Sequence, residues 1–181
     1  VVLERPSARR EVEFLTLERK SRRLHRPWVT APATPEAFRA WLARTRRRNA
    51  RSYFVIVEAT DELAGVINVS EIVLGHFRSA YLGYYAFGPH AGRGYLAAGL
   101  RLVLADAFGP LELHRLEANV QPENSRSIAL LKRLGFRMEG RSPRYLKIGG
   151  RWRDHERWAI LAEEASAGKP GGRRTGRVRM I

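Results

Sequence analysis

The amino-acid sequence predicts one α/β domain with a mixed, mostly antiparallel central sheet of about seven strands and helices on both faces. The first observation is size, because 181 residues, 44% of them apolar, suffice for one core. The second is the predicted order of elements, β α α β β β α β α β β. Three strands in a row indicate an antiparallel meander, whereas the later alternation of strands and helices requires a parallel crossover.

The N-terminal half is predicted to supply one strand, two helices and the meander. The strand is VVLERP, after which Ser7 is expected to cap a helix that runs to about Arg23. In ATPEAFRAWLARTRRR, Thr34 is the expected N-cap of a second helix, with Pro35 in its first turn. The runs SYFVIVEA, AGVINVSEIV and SAYLGYYAF are rich in β-branched and aromatic residues, which favours three strands.

The C-terminal half is predicted to complete the sheet. From Gly94 to Phe108 the residues are apolar on nearly all sides, which predicts a buried helix. A strand is predicted for HRLEANV, and a helix that ends at Gly135 is predicted for ENSRSIALLKRLGF. The last two strands, FRMEGRSPRYLKI and WRDHERWAIL, are predicted to form a hairpin that turns at two glycines. The domain therefore spans residues 1–164, and residues 165–181, rich in Gly and Arg, are expected to form a disordered basic tail.

The formal net charge of +15 is concentrated at the two ends of the chain. Residues 1–51 hold 14 Lys and Arg against 5 Asp and Glu, and residues 165–181 hold 5 basic and no acidic residues. Neither ARTRRRNARS, where much of the N-terminal excess lies, nor the tail SAGKPGGRRTGRVRMI intersperses aromatic residues among its arginines, which favours a solvated basic surface over specific nucleic-acid recognition. Weak attraction to RNA, to a ribosome or to a polyanionic cofactor is expected from the charge alone.

The composition excludes several kinds of chemistry. The chain has no cysteine, which rules out disulfides, thiolate metal sites and a cysteine nucleophile. Its 5 histidines are scattered without the spacing of metal ligands, and we expect no metal. No apolar run approaches the roughly 20 residues that a membrane helix needs, so we predict no membrane contact. We also expect a cytoplasmic protein that is a monomer or a homodimer.

The stretch GPHAGRGYLAAG, which opens the predicted buried helix, allows three interpretations. Gly92, Gly94 and Ala97 fit the G-x-G-x-x-A pattern of dinucleotide-binding folds, although here a meander precedes the motif. The glycines can instead serve only to turn the chain and let the helix pack closely. In the third interpretation, free N–H groups at the helix N-terminus bind a pyrophosphate. The segments further along the chain decide among the three.

Those later segments resemble one superfamily of enzymes. HAGRGYLAAGL followed by LHRLEANVQPENSRSIALLKRLGFRMEG is similar to the acetyl-CoA-binding half of the GNAT acyltransferases, with Asn124, Ser127 and Gly135 in the family's order. GVINVSEIVLGHFRSAYLGY, EANVQPENSRSIALL and RYLKIGGRWRDH resemble the ribosomal-protein-alanine N-acetyltransferases of the RimJ/RimL type. The resemblance covers residues 1 to about 164 and implies the GNAT fold.

The resemblance implies an activity, namely acetyl transfer from acetyl-CoA to a primary amine by direct attack in a ternary complex, without a metal. The expected acceptor is the N-terminal alanine or serine amine of a ribosomal protein. A small-molecule amine, such as a polyamine or an amino-group antibiotic, is the alternative, because acceptors vary on one fold. A non-catalytic factor that binds RNA or the ribosome is a further alternative.

The resemblance also implies which residues bind acetyl-CoA. The end of the strand that contains YYAF is expected to offer backbone N–H and C=O groups to the pantetheine arm. A backbone N–H near Phe87 is expected to polarise the thioester carbonyl, and the glycine turn is expected to bind the pyrophosphate. The implied cofactor residues are Ala86, Phe87, Gly92, Arg93, Gly94, Tyr95, Asn124 and Ser127. Pro89 departs from the family, which often has Gln or Arg there, and it removes one N–H donor.

Two residues are the catalytic candidates. Glu117 matches a position where relatives carry a glutamate that acts as a base through water, and an ion pair inside the sheet is its structural alternative. Many superfamily members use a tyrosine to protonate the leaving thiolate, but this chain has Leu131 at that position. Ser127 matches the serine that this branch uses instead. Arg144 stands where some relatives have an acidic residue, which removes one proposed base.

The remaining candidates lie on the acceptor side. Asn68, Glu71 and Tyr145 are expected to bind the acceptor, with Glu71 as a second candidate base. Asp154 and His155 in WRDH are expected to be a structural or substrate-shaping pair, since no serine or cysteine motif completes a triad. An α-amino group has a pKa of about 7.7–8.0 against about 10.4 for lysine, so an N-terminal acceptor requires only a weak base.

Overall fold

The computed structural model describes residues 1–167 and 178–179, which form one eight-stranded sheet with helices on both faces. The strands are β1 (Val2–Glu4), β2 (Arg51–Val57), β3 (Glu62–Val73), β4 (Ser79–Ala86), β5 (Arg115–Val120), β6 (Arg137–Ile148), β7 (Arg151–Leu161) and β8 (Val178–Arg179). The helices are α1 (Glu11–His25), α2 (Pro35–Thr45), α3 (Tyr95–Phe108), α4 (Ser125–Arg133) and α5 (Ala162–Ala167). The α/β class and all the predicted strands are confirmed, and the short β8 pairs with β1.

The sheet consists of two parts that meet at β4 and β5. Its strand order is β6-β7-β5-β4-β3-β2-β1-β8. β2, β3 and β4 form the antiparallel meander, and β7 pairs antiparallel with both β5 and β6. Because α3 crosses over between them, β4 and β5 run parallel, and they pair only over residues 79–81 of β4. Beyond Tyr81 the two strands separate and leave a gap at their C-terminal ends.

Each face of the sheet carries its own core. α1 and α2 cover one face with an aromatic cluster, in which the centroid of the Phe14 ring lies 4.8 Å from that of Phe38 and 5.4 Å from that of Phe87. α3 packs on the other face. Gly99 permits its close approach, because an added Cβ would lie 2.7 Å from a methyl carbon of Val55.

α3 is less buried than its composition predicts. Leu100, Val103 and Ala107 are buried, but Arg101 and Ala105 are exposed. The helix therefore packs on the sheet with one side only, and its other side faces solvent, which corrects the prediction of burial on nearly all sides.

The two predicted N-caps of the first helices have different outcomes. Thr34 caps α2 as predicted, because its Oγ1 accepts a hydrogen bond from the Ala37 N–H at 3.2 Å. Ser7 makes no capping hydrogen bond, so that prediction is wrong. A short 3₁₀ turn precedes α1 instead, and Arg10 at the end of this turn is held by an ion pair with Glu4 at 3.0 Å.

The predicted domain boundary falls within the last described helix. Residues 162–167 form α5, and most of the predicted tail, residues 168–177 and 180–181, lies outside the described residues. The disorder of that tail stays a prediction. In the part of the chain that the structure describes, no helix is both long and apolar enough to cross a membrane.

Candidate active site

A cleft of about 1430 Å³ opens where β4 and β5 separate. The C-terminal ends of α1, β4 and β5, the N-terminal end of α3, the length of α4 and part of β7 line it. Of the predicted site residues, the cleft brings together Ala86, Gly92, Gly94, Asn124 and Ser127. The residues outside its lining are Asn68, Glu71, Phe87, Arg93, Tyr95, Glu117 and Tyr145.

The end of β4 presents backbone groups to this cleft. The Phe87 N–H donates to the Ala64 carbonyl at 2.9 Å, in continuation of the β3–β4 pairing. Because the direction of hydrogen bonding alternates along a strand, the backbone groups of Tyr84 and Ala86 point the other way, toward β5. The Phe87 N–H is thus engaged within the sheet, whereas the neighbouring Ala86 N–H faces the cleft, so the predicted donor near Phe87 stays a prediction and Ala86 is the residue that can supply it.

The glycine turn enters α3 through two residues in the left-handed region. Gly92 has φ 78° and Gly94, the N-cap of α3, has φ 82°, and an added Cβ at either position would meet open space. The backbone conformation, rather than crowding, therefore favours glycine here. The first N–H groups of α3 have no partner within the helix and lie beside this open space, which is the geometry of an anion site.

The neighbours of these glycines occupy other positions. Arg93 is exposed outside the cleft, and the ring centroid of Tyr95 lies 6.1 Å from that of His90. Pro89 belongs to a 3₁₀ turn whose first N–H donates to Ser21 Oγ at 2.8 Å. This contact anchors the turn to α1 and so fixes where α3 begins.

Ser127 lies beside a tyrosine that the sequence did not indicate. Asn124 caps α4, and its Oδ1 accepts a hydrogen bond from the Ser127 N–H at 3.2 Å. The Ser127 Oγ lies 2.7 Å from the hydroxyl oxygen of Tyr84, which comes from β4. Burial raises the pKa of Tyr84 to about 12, so its hydroxyl stays protonated near neutral pH. A tyrosine hydroxyl is thus present although α4 itself has Leu131.

The charge of the cleft suits a polyanion. Arg126, Lys132 and Arg133 of α4 line it, and so does Arg23 of α1. Together with the N-terminus of α3, these cations fit the phosphates of coenzyme A. Among residues 1–167, no three His, Asp or Glu side chains come together as a metal site requires.

The face of the sheet that carries α1 gives a second approach to the cleft. Glu117 and Asn119 of β5 share this face, and Arg157 lies opposite Asn119 in the pairing with β7. On β4, Gly83 has open space where a Cβ would lie. These residues border the gap between β4 and β5 on the side opposite α3, and we call this region the acceptor groove.

The carboxylate of Glu117 is engaged inside the sheet. Its Oε1 accepts a hydrogen bond from Arg115 Nε at 2.8 Å, and Arg115 also binds Glu139. This is the ion pair that the sequence offered as the structural alternative for Glu117. One oxygen of the carboxylate is therefore engaged, and the role of Glu117 as a base stays a prediction.

The three residues predicted to bind the acceptor are dispersed. Asn68 Oδ1 accepts a hydrogen bond from a serine hydroxyl of β2 at 2.7 Å. Glu71 accepts one from an asparagine side chain at 3.2 Å, at the end of the sheet opposite the cleft, so the structure does not bring it to the site. Tyr145 hydrogen-bonds with Tyr81, which raises the pKa of Tyr81 to about 12, and its ring centroid lies 6.2 Å from that of His155.

His25 joins the end of α1 to the end of β4. Its Nε2 donates to the Ala86 carbonyl at 3.0 Å, while its Nδ1 is buried and has no hydrogen-bond partner in the described part of the chain. Burial lowers the pKa of His25 below its ordinary value, and the contact with Ala86 opposes this only in part. His25 is therefore neutral in the folded protein at neutral pH.

The free energy of unfolding should decrease in mild acid, and His25→Gln should weaken this dependence. Below about pH 6.5 the unfolded chain binds a proton at His25 before the folded chain does, so stability falls until the pH passes the lower folded pKa. A glutamine amide can still donate to the Ala86 carbonyl but does not titrate. Urea unfolding at about pH 7.5 and about pH 5.5 measures the effect. An equal decrease in the free energy of unfolding between the two pH values in the unchanged protein and in His25→Gln would contradict this prediction.

Comparison with known proteins finds acetyltransferases. Residues 1–137 match the family described as acetyltransferase (GNAT) domain. Over 158 residues, 83% of this chain and 81% of the relative, the sequence is 31% identical to the ribosomal protein uS5-alanine N-acetyltransferase of Escherichia coli. A solved structure of Mycobacterium smegmatis RimJ in complex with CoA-disulfide superimposes with a TM-score of 0.80 at 30% identity, covering 90% of this chain and 82% of that chain.

A second type of relative has a different acceptor in its name. The spermidine N(1)-acetyltransferase of Vibrio cholerae is 32% identical over 113 residues. That alignment covers 62% of this chain and 65% of the relative, less than two thirds of either protein.

Proposed function

This chain belongs to the GNAT acetyltransferase family, and we propose that its acceptor is a protein N-terminus, specifically the N-terminal alanine or serine of a ribosomal protein. Family membership makes the chain an N-acetyltransferase that uses acetyl-CoA, and the fold is the GNAT fold. Acetyl-CoA supplies the thioester, and the chain supplies the N–H groups of Ala86 and α3, the cations of α4, and Ser127. The wider alignment to the alanine N-acetyltransferase supports the choice of acceptor.

The observation that carries this proposal is the scarcity of free carboxylates along the cleft. Among the described residues, Glu123 is the one acidic residue that lines it. Asp154, further out, is already bound, because its Oδ1 accepts a hydrogen bond from the Arg144 N–H at 2.9 Å and its Oδ2 one from Arg141 at 3.3 Å. A polyamine carries several positive charges that need several carboxylates, whereas an N-terminus carries one.

An outer pocket of about 370 Å³ extends the cleft and supports a polypeptide acceptor. Trp28 and Trp152 line it, and it shares Trp28, Gln121 and Glu123 with the cleft. The buried Gln121 side chain donates to the Pro27 carbonyl at 3.3 Å and so ties the end of β5 to this pocket. The aromatic side chains of this pocket suit the second and following residues of an extended acceptor polypeptide whose N-terminal amine lies in the cleft.

The basic N-terminal region fits a ribosomal acceptor as well. The charge excess of residues 1–51 attracts a particle rich in RNA, and long-range attraction of this kind raises encounter rates. The proposed reaction occurs in the cytoplasm, where ribosomal proteins are made. The contact with RNA needs no specific base recognition.

Acetyl transfer to defined amines tests the acceptor directly. The protein is incubated with acetyl-CoA and a peptide that begins with Ala or Ser, the same peptide with a blocked N-terminus, or spermidine, and released thiol is measured. We expect turnover with the free N-termini, little with spermidine, and none with the blocked peptide. Preference for spermidine would favour the second candidate function, polyamine acetylation, which the alignment to the Vibrio cholerae relative supports.

A further inference from the structure

We propose that His155 is the general base that takes a proton from the acceptor amine. The inference rests on the acetyl transfer described above, and it concerns the acceptor groove rather than the cofactor residues. It does not depend on whether the amine is a protein N-terminus or a small molecule. Its basis is a buried histidine in the cleft with one ring nitrogen fixed and the other unpartnered.

The hydrogen bonds of His155 define its tautomer. The residue is 3% exposed, yet it lines the cleft from β7. Its Nδ1 lies 3.0 Å from the carbonyl oxygen of Arg153. Because a carbonyl oxygen only accepts, Nδ1 carries the ring hydrogen, and Nε2 of the neutral ring keeps its lone pair. Within residues 1–167, Nε2 makes no hydrogen bond and is not fully buried.

Asn119 places a second unpartnered polar atom in the same groove. Among the residues that the structure describes, its Oδ1 is buried without a hydrogen-bond partner, and the residue lines the cleft. Arg157 lies opposite Asn119, and His155 precedes Arg157 by two residues on the same face of β7. Asn119 and His155 are therefore diagonal neighbours, about 7–8 Å apart.

Apart from Glu123, an exposed carboxylate on the turn between β5 and α4, the other groups that face this region do not accept a proton readily. The titratable and charged groups nearby are Arg153 and Arg157 of β7, Tyr145 of β6, Arg115 and Glu117 of β5, Tyr81 of β4 and His25 of α1. Arginines and tyrosines carry their protons near neutral pH. Glu117 is bound by Arg115, and His25 donates through Nε2 while its Nδ1 is fully buried.

In the proposed step, the amine loses two protons, forms a bond to the acetyl carbon and displaces the thiol. His155 Nε2 removes one proton from the bound ammonium and later releases it to solvent. The freed nitrogen lone pair forms the N–C bond to the thioester carbon, and the C–S bond breaks with its electron pair on sulfur. The departing sulfur is hydrogen-bonded by the Ser127 hydroxyl and takes up the second proton of the amine. The products are an amide and a thiol.

The test compares pH profiles of His155→Gln, His155→Ala and the unchanged protein, with acetyl-CoA and an Ala peptide as substrates. We expect kcat/KM to fall about 100-fold in both variants, because general-base catalysis contributes that much or more. The acidic limb of the profile, measured from about pH 5.5 to about 9, should disappear, and added imidazole should partly restore His155→Ala. Thermal shifts with coenzyme A verify that both variants fold and bind the cofactor. His76→Gln, an exposed histidine on the β3–β4 loop, is the matched control.

Two results would overturn the proposal. One is an acidic limb that persists in His155→Gln with an unchanged midpoint. The other is a fall in rate that comes entirely from a weaker KM for acetyl-CoA, which would indicate a structural role. If the unchanged protein acetylates spermidine and not the peptide, the proposed acceptor fails, and the same pH comparison on spermidine still decides the role of His155.

Discussion

Replacing Ser127 by alanine is expected to lower kcat about 100-fold and to leave the affinity for coenzyme A nearly unchanged. The Ser127 hydroxyl lies at the N-terminus of α4, where Asn124 fixes its backbone and Tyr84 contacts its oxygen. Because the Tyr84 phenol stays protonated, it can donate to Ser127 Oγ, and the serine hydrogen is then free to point at the leaving sulfur. Steady-state kinetics with thiol detection and calorimetric binding of coenzyme A measure the two quantities.

Two further variants identify the origin of this effect. Tyr84→Phe removes only the hydroxyl, so kcat should fall by about 10-fold, less than in Ser127→Ala, because the serine keeps its own hydrogen bond to sulfur. Ser70→Ala, on β3 outside the cleft, is the control and should turn over normally. A loss of cofactor affinity in Ser127→Ala that equals the loss of rate would instead indicate a binding role for the serine.

Replacing Phe14 by alanine is expected to reduce the free energy of unfolding by about 3–5 kcal/mol. The Phe14 side chain is 0% exposed and packs against the rings of Phe38, Trp41, Phe54 and Phe87. The substitution removes its contacts with all of these rings and leaves a cavity between α1 and the sheet. Urea unfolding measures the loss.

The position of Phe14 links this loss of stability to the site. Its partner Phe87 directly follows Ala86, and α1 carries His25, which donates to the Ala86 carbonyl. We therefore expect weaker coenzyme A binding in Phe14→Ala in addition to the lower stability. Val12→Ala is the matched control, since Val12 lies on α1 but is 79% exposed, and its effect should stay within about 0.5 kcal/mol. Equal effects of the two substitutions would contradict the role of the aromatic cluster.

Features that depend on neighbouring residues were predictable from the sequence. Thr34 and Asn124 each accept a hydrogen bond from an N–H three residues later, so both partners lie within one short segment. The left-handed conformation of Gly92 and Gly94 likewise follows from residue type and from the helix that comes next. Ser7 shows the limit of such reasoning, because the ion pair between Arg10 and a residue of β1 is not local information.

The geometry of the candidate site depends on how distant segments come together, which could not be predicted from patterns of neighbouring residues. Tyr84 and Ser127 are 43 residues apart and meet only because β4 and α4 border the same cleft. Asp154 and His155 looked like a pair because they are adjacent. Successive side chains of a strand point to opposite faces, so Asp154 binds the Arg144 N–H while His155 lines the cleft.

The short contact between β4 and β5 also has a consequence for dynamics. Because these strands pair only from Ser79 to Tyr81, the backbone ladder that joins the meander to β5, β7 and β6 is confined to one end of the sheet. Elsewhere the halves are joined through side chains, including the Tyr84–Ser127 contact and the hydrogen bond from Gln121 to Pro27, so we expect the C-terminal half to open before the whole domain unfolds. A molecule bound in the gap spans both halves and opposes this opening. Acetyl-CoA would thus act as a noncovalent crosslink that slows amide hydrogen exchange in β5.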